Sequence, residues 1–329
     1  MAGIAIVSNS RAESSPLTSV IAALPEAAVI TFVAEHEPHV EMSSALHYFT
    51  RELRAASPRI VILLGDRYET LAAALAATFL RIPLAHIHGG ETTTGAFDDA
   101  FRHGLTHLAE QSGGLHFAAT EKAAARVTEL TNGSQRVHIV GAPGLDGIPE
   151  GSARRERHII VVSYHPETLS VDHGATSCAD MLHLLSGHVD TERVVFTGVN
   201  KDPGHEQIEA LIAKFCEQKP ATRILAPLPR DAYISLLQEA TMCIGNSSSF
   251  AIEAPWIGIP SVIVGNRQQG RELASSVYPA NGDINDIAAA IACALAWGAD
   301  RKDRPANPIY RGGNVGALIA EIVREFVSA

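Results

Sequence analysis

The sequence predicts an α/β protein of two doubly wound parallel sheets, its two domains facing one cleft, and three observations carry that prediction. Short β-branched apolar runs alternate with Ala/Leu-rich helical patterns along nearly the whole chain. A polar and charged stretch at 149–157, PEGSARRER, interrupts the alternation near the middle and reads as a linker. At 329 residues the chain exceeds the size at which one core stops growing, so two domains are expected, 1–150 and 151–329.

Each element follows from its own pattern. Strands are expected at 3–8, 28–33, 59–64, 84–88, 115–118 and 136–140, where β-branched and other apolar residues run continuously, as in strands covered on both faces. Helices with 3.6-residue apolar periodicity fill the gaps at 16–24, 43–56, 69–80 and 121–130. The alternation restarts at HIIVVSYH (158–165) and continues through RVVFTG, TRILAPL, ATMCIGN and PSVIVGN, a second Rossmann-like set. A last helix at 315–327 fits against either domain.

Composition narrows the class. Hydrophobic content of 46% with 19% charged residues describes a well-packed globular protein, and a formal charge of −10 speaks against a nucleic-acid partner. An anionic ligand would then be held by local features such as helix N-termini and single arginines. Cys178, Cys216, Cys243 and Cys293 are widely spaced with no CxxC, which indicates neither a zinc site nor a disulfide framework and fits a reducing cytoplasm. The N-terminal residues enter a strand directly, without a charged leader, and no segment reaches the length of a membrane span.

Three acidic clusters stand at element boundaries in the stretch 65–103, GDRYETLAAALAATFLRIPLAHIHGGETTTGAFDDAFRH. Asp66 falls just past the strand 59–64, where open α/β sheets place ligands. Glu91 follows the run PLAHIHGG, and Gly89 and Gly90 indicate a backbone that turns tightly or approaches a ligand. Asp98 and Asp99 stand where a helix through Phe101, Leu105 and Leu108 starts, a place where an aspartate also serves as a cap. In the second half, His165 ends a strand that Pro166 stops, placing an imidazole at the rim of the cleft or simply at a strand end. In CIGNSSSFAIEAPWIGIP, Gly245, Asn246 and three serines open a helix and offer N–H groups and hydroxyls to a phosphate, although serines also cap helices. Glu253, inside that helix, suits a pair of ribose hydroxyls.

Six segments stand in register with a known pattern: SRAE at 10–13, GDRYE, HIHGGETTTGAFDDAFRH, SYHPET, TGVNKDPG, and GNSSSFAIEAPWIGIPSVIVGNRQQGR. Together they resemble the UDP-N-acetylglucosamine 2-epimerases, and especially the hydrolysing branch that makes N-acetylmannosamine for sialic acid and related nonulosonic acids. The resemblance implies the two-domain glycosyltransferase fold called GT-B, a nucleotide-sugar substrate, no cofactor and a homodimer, for which the Ala-rich helices offer an interface. It also implies a route in which a base removes the proton at carbon 2 while the nucleoside diphosphate leaves carbon 1. The resulting glycal then takes up water.

Such chemistry needs carboxylates on the sugar and a grip on the leaving diphosphate. Position by position, the resemblance implies proton transfer by Asp66, Glu91 and Asp98, with Asp99 not separable from Asp98, and a role for His165 at the diphosphate. It implies nucleotide or substrate contacts for Arg11, Arg102, His103, Asn200, Asn246, Ser247, Ser248, Glu253, Arg267 and Arg271. His103 and His107 are not read as a metal pair, since their i, i+4 spacing lacks the accompanying Glu. The chain departs from the family at Phe250, where glycine is usual and which would crowd a backbone approach to the diphosphate. It departs also at Ser14 and Ser15, and in a shortened segment after residue 33. Two other readings share the nucleotide half: a non-hydrolysing 2-epimerase or retaining GT-B glycosyltransferase, and a nucleotide-sugar-binding protein without catalysis.

Overall fold

The structure, a computed structural model, describes residues 3–8, 11–33, 38–154, 158–188, 193–226, 228–300 and 308–329. It divides into one unit of Met1–Glu91, Asp98–Gly147 and Tyr310–Ala329 and another of Thr92–Phe97 and Ile148–Ile309.

In the first unit, β1 (Ile4–Ser8), α1 (Arg11–Ala23), β2 (Ala28–Thr31), α2 (Pro38–Ala56), β3 (Ile60–Leu64), α3 (Tyr68–Phe79), β4 (Leu84–Ile87), α4 (Asp98–Gln111), β5 (Leu115–Ala118), α5 (Glu121–Leu130) and β6 (Val137–Ile139) follow one another. The strands pair in parallel in the order β2-β1-β3-β4-β5-β6. β1, β3, β4 and β5 are buried at every residue, which is why their sequences read as unbroken apolar runs. β2 lies at the edge with alternating exposure and is shorter than its sequence pattern. α2 starts at Pro38, earlier than its periodicity suggests, because proline is pre-shaped for a first helical turn. Residues 34–37 and the side chains of Arg11, Ser14 and Ser15 lie outside the described part, so the departures noted there are not traced further.

The second unit holds β7 (Ile159–Ser163), α6 (Ala175–Leu185), β8 (Arg193–Phe196), α7 (His205–Gln218), β9 (Arg223–Ile224), α8 (Arg230–Gln238), β10 (Met242–Gly245), α9 (Ser249–Ile257), β11 (Ser261–Val264), β12 (Val277–Ala280) and α10 (Ile284–Asp300). Its parallel sheet runs β12-β11-β10-β7-β8-β9. β12, a half-exposed edge strand carrying Pro279, has no clear sequence signal, since proline is depleted in strands. The stretch read as a linker is docked on this unit: Gly151 and Ala153 donate their N–H groups to Trp256 and Ile257 (2.9 and 3.0 Å), and Arg154 to Gln238 (2.8 Å). These bonds take up carbonyls at the ends of α9 and α8 that would otherwise lack partners.

The chain finishes with α11 (Val315–Ser328), which returns to the first unit and packs its buried face of Val315, Ile319 and Val323 with Leu17, Val20 and Leu24 of α1 and its turn. Asp146 fixes that helix by accepting from the N–H groups of Gly313, Val315 and Gly316 (3.0, 3.0 and 2.8 Å).

Two sequence expectations need correction here. Phe250 does not crowd a ligand surface: it is fully buried in a core with Val161, Cys243, Ala254 and Ile257, because its spacing from Ala254 and Ile257 places all three on the sheet-facing side of α9. Phe250→Leu is accordingly expected to cost about 1–2 kcal/mol in urea unfolding while leaving nucleotide affinity unchanged. Nor do the alanines of α3 offer an interface, since Ala72, Ala73, Ala74, Ala76 and Ala77 are all 0% exposed within the chain, in one core with residues of α2, β3 and α4.

Candidate functional site

Strand order locates the sites. In the first sheet the order reverses between β1 and β3, and in the second between β7 and β10; ligands of open α/β sheets collect at the carboxyl ends beside such reversals. Asp66 follows β3, while His165 and Asn246 follow β7 and β10.

In the first unit the chain leaves β3 through Gly65, whose φ of 81° is a left-handed turn, and Asp66 comes next. The guanidinium of Arg102 donates to the Asp66 carboxylate and to the His88 carbonyl (3.1 Å for the latter). Arg102 is 3% exposed and Asp98 7%, and both lie on the buried stripe of α4 with Leu105, Thr106 and Ala109. Asp99 belongs to the neighbouring stripe, 3.4 Å from His103 one turn on. Asp98 therefore shares the face of α4 from which Arg102 reaches Asp66, which sequence alone does not resolve.

Glu91 is also buried, and His88 Nδ1 lies 2.6 Å from its Oε1. The two glycines before it serve close chain packing: a Cβ on Gly90 would sit 2.1 Å from the Ala123 carbonyl oxygen, and one on Gly89 3.1 Å from the His86 ring. The sequence suggested either a tight turn or a ligand approach, and the first is what the backbone makes. Glu69, fully buried and 3.2 Å from Arg67, and His88 are charged or titratable neighbours that sequence reasoning passed over. Both sit inside the quoted motifs, but no spacing rule marks them.

His86 stands behind this cluster as a structural group. Its Nε2 donates to the Gly65 carbonyl (2.8 Å), and complete burial pushes its pKa down to about 3. The folded chain therefore keeps this ring neutral where the unfolded chain protonates it, so its contribution is whole above pH 6.5 and declines as pH falls toward 3. Between pH 7.5 and 5 the expected loss is about 2 kcal/mol. Urea titrations at the two values check this, with His86→Gln, which keeps the donor but does not titrate, losing that part of the slope.

In the second unit His165 is 7% exposed and its backbone is clasped by fully buried Asn246, which accepts from His165 N–H (2.7 Å) and donates to its carbonyl (2.8 Å). The Asn200 N–H points at His165 Nδ1 (3.1 Å), so that nitrogen accepts and the neutral ring carries its proton on Nε2. Gln268 donates to the Asn246 carbonyl (3.0 Å) and accepts from Arg271 Nε (2.8 Å), while Arg267 lies 3.5 Å from Asp202. Asn200, Asn246, His165 and Arg271 are thus joined in one network through Gln268, a residue with no motif signal of its own.

Gly245 permits the turn into α9, since a Cβ there would meet the Ser163 carbonyl oxygen at 2.0 Å. Ser248 sits at the N-cap without a side-chain capping bond and is exposed, so its hydroxyl is not committed to the helix. Ser249 is bonded to Tyr233, and Ser247 lies 3.4 Å from the Ser249 N–H. Glu253 is half-buried; its charge, after burial, is the main reason the Tyr233 hydroxyl is pushed up from its ordinary pKa. The segment Thr92–Phe97 belongs to this unit, with Thr94 N–H donating to Gln269 O (3.1 Å) and Phe97 N–H to Thr168 Oγ1 (3.0 Å). Arg11 opens α1 in the first unit, its side chain outside the described part. Among the described residues no three His, Cys, Asp or Glu side chains gather as metal ligands, and no helix is long and apolar enough to cross a membrane.

Comparisons with known proteins agree with this architecture. The family model described as UDP-N-acetylglucosamine 2-epimerase matches residues 24–324. The chain is 32% identical over 240 residues to the polysialic acid biosynthesis protein P7 of Escherichia coli, covering 69% of this chain and 60% of that protein. It is 29% identical over 259 residues to the GDP/UDP-N,N'-diacetylbacillosamine 2-epimerase (hydrolyzing) of Campylobacter jejuni, covering 75% and 66%. The chain thus spans 60–66% of the length of these two relatives. The fold is shared with the crystal structure of the Neisseria meningitidis UDP-GlcNAc 2-epimerase bound to UDP-GlcNAc, at a TM-score of 0.79 and 16% identity over 98% of this chain and 99% of that one.

Proposed function

We propose that this chain, which belongs to the UDP-N-acetylglucosamine 2-epimerase family, is a hydrolysing 2-epimerase. It would convert a nucleotide-activated 2-acetamido sugar to the free 2-epimer and nucleoside diphosphate through a glycal. The observation that carries the reading is that Arg102, on the buried stripe of α4 with Asp98, bonds Asp66 and the carbonyl of His88, whose ring in turn holds the buried Glu91. The similarity to the hydrolysing 2-epimerase of Campylobacter jejuni adds to it.

The residues suit the steps. Removing the proton at carbon 2 needs a base on one face of the sugar, and returning it with inversion needs an acid on the other; Asp66, Glu91 and Asp98 are carboxyl groups of the type these transfers require. Arg102 orients Asp66 through their ion pair. In the other unit, the protonated Nε2 of His165 lies 3.3 Å from Ser163 Oγ and would turn from that hydroxyl to serve the departing diphosphate, with the uncommitted Ser248 hydroxyl and the N-terminus of α9 as further donors. Glu253 would accept from the ribose.

Incubating the full chain with UDP-N-acetylglucosamine and with UDP- and GDP-linked 2,4-diacetamido sugars, then separating the products by chromatography, tests this reading. Free 2-epimer with nucleoside diphosphate is the expected result. An epimerised sugar still joined to its nucleotide would exclude the hydrolysing route.

A further inference from the structure

We propose, on the basis of that reading, that His88 rather than Glu91 exchanges the proton at carbon 2, and that Glu91 holds and polarises its imidazole. The backbone of His88 is pinned on both sides, its N–H donating to Phe117 O (2.9 Å) and its carbonyl accepting from Arg102 (3.1 Å). Between these anchors it adopts φ of 65°, a left-handed conformation that is costly for a residue with a Cβ and persists only where the surroundings impose it. Gly90 also turns left-handed, φ 80°, pressed against Ala123, and together the two turns bring the Glu91 carboxylate back to His88 Nδ1 at 2.6 Å.

The division of roles follows from what each group has left to offer. The Glu91 side chain is 4% exposed, is bonded to His88 and has further polar partners. The imidazole is 11% exposed, and its Nε2 carries no hydrogen bond among the described residues and is not closed off from solvent. An ionised carboxylate only accepts, so Nδ1–H is the donor and the lone pair of the neutral ring stands on Nε2. A buried carboxylate on one ring nitrogen and an unengaged lone pair on the other is the arrangement that makes histidine a general base, the carboxylate stabilising the imidazolium that forms. In the elimination, the C2–H bond breaks and its proton passes to Nε2. The electron pair of that bond forms the C1=C2 double bond, and the C1–O bond breaks, the diphosphate leaving with the two electrons of the C1–O bond. Glu91 stays ionised throughout.

Two substitutions separate this from a role in merely positioning Glu91. His88→Asn tolerates the left-handed backbone and keeps an N–H where Nδ1 stood, but has no base; His88→Gly keeps the backbone and leaves a space for free imidazole. With a nucleotide sugar that the wild type turns over, both variants are expected to lose about 100- to 10,000-fold in kcat with KM changed less than about threefold. Added imidazole is expected to restore His88→Gly by at least about tenfold and His88→Asn not at all. Near-wild-type turnover by His88→Asn, or no rescue of His88→Gly, would overturn the proposal and return the proton to Glu91. If the wild type cleaves no nucleotide sugar, it is the proposed function that fails. Nitrogen-15 NMR of the imidazole then still reads the dyad, with a proton on Nδ1 and none on Nε2 expected at neutral pH, and the reverse tautomer overturning it.

Discussion

Asp98→Asn is expected to lower kcat for sugar release by about 100- to 10,000-fold, while Asp99→Asn stays within about tenfold of wild type. The two carboxylates are adjacent in sequence but face different ways. Asp98 is on the buried stripe of α4, four residues before Arg102, whose guanidinium reaches Asp66 and the His88 carbonyl. Asp99 lies on the next stripe beside His103 and retains 17% side-chain exposure. The amide substitutions preserve shape and remove only the capacity to carry a proton, so an effect on kcat without loss of the folded baseline in thermal melts identifies chemistry. Nucleoside diphosphate release measured for the two variants in parallel decides the matter, and the opposite ranking would assign the role to Asp99.

Arg102→Met is expected to have the largest effect on stability, a loss of about 3–5 kcal/mol, together with loss of activity. Methionine fills much of the space but leaves the Asp66 carboxylate and the His88 carbonyl without their donor in a largely buried setting. Arg102→Lys keeps the charge but not the planar fork that serves both acceptors at once, so it is expected to recover only part of the loss. Urea unfolding of Arg102→Met, Asp66→Asn and the double variant measures the coupling directly. A double variant no less stable than Arg102→Met is expected, because neutralising Asp66 removes the charge that the arginine was balancing.

Much of this was legible in the sequence because the physics is local. Strands covered on both faces must be continuously apolar, and glycines mark the turns that leave them: Gly65 in a left-handed conformation, and Gly245 where a Cβ would meet backbone. The position of Asp66 follows directly, since the residues just after a parallel strand sit at the sheet's carboxyl end, and that of Asp98 from the start of α4. What stayed hidden depends on side-chain direction and long-range pairing. Nothing in the string HIHGGE says that two left-handed residues fold Glu91 back onto His88, and Gln268 gains meaning only through Asn246, 22 positions away. Phe250 was misjudged because its position in the motif was weighed without the helical phase that turns it inward. The polar run after Pro149 looked like a tether because its bonds are made by backbone, on which side-chain character is silent.

The most direct measurement of the central claim is proton NMR of the full chain with a nucleotide-linked 2-acetamido sugar in heavy water, UDP-N-acetylglucosamine first. Free 2-epimer carrying deuterium at carbon 2, appearing in step with nucleoside diphosphate, is the expected result, because a glycal loses the original proton and regains one from solvent. Free sugar that keeps both its configuration and its proton at carbon 2 would contradict the account, since it would mean simple hydrolysis with no abstraction at that carbon.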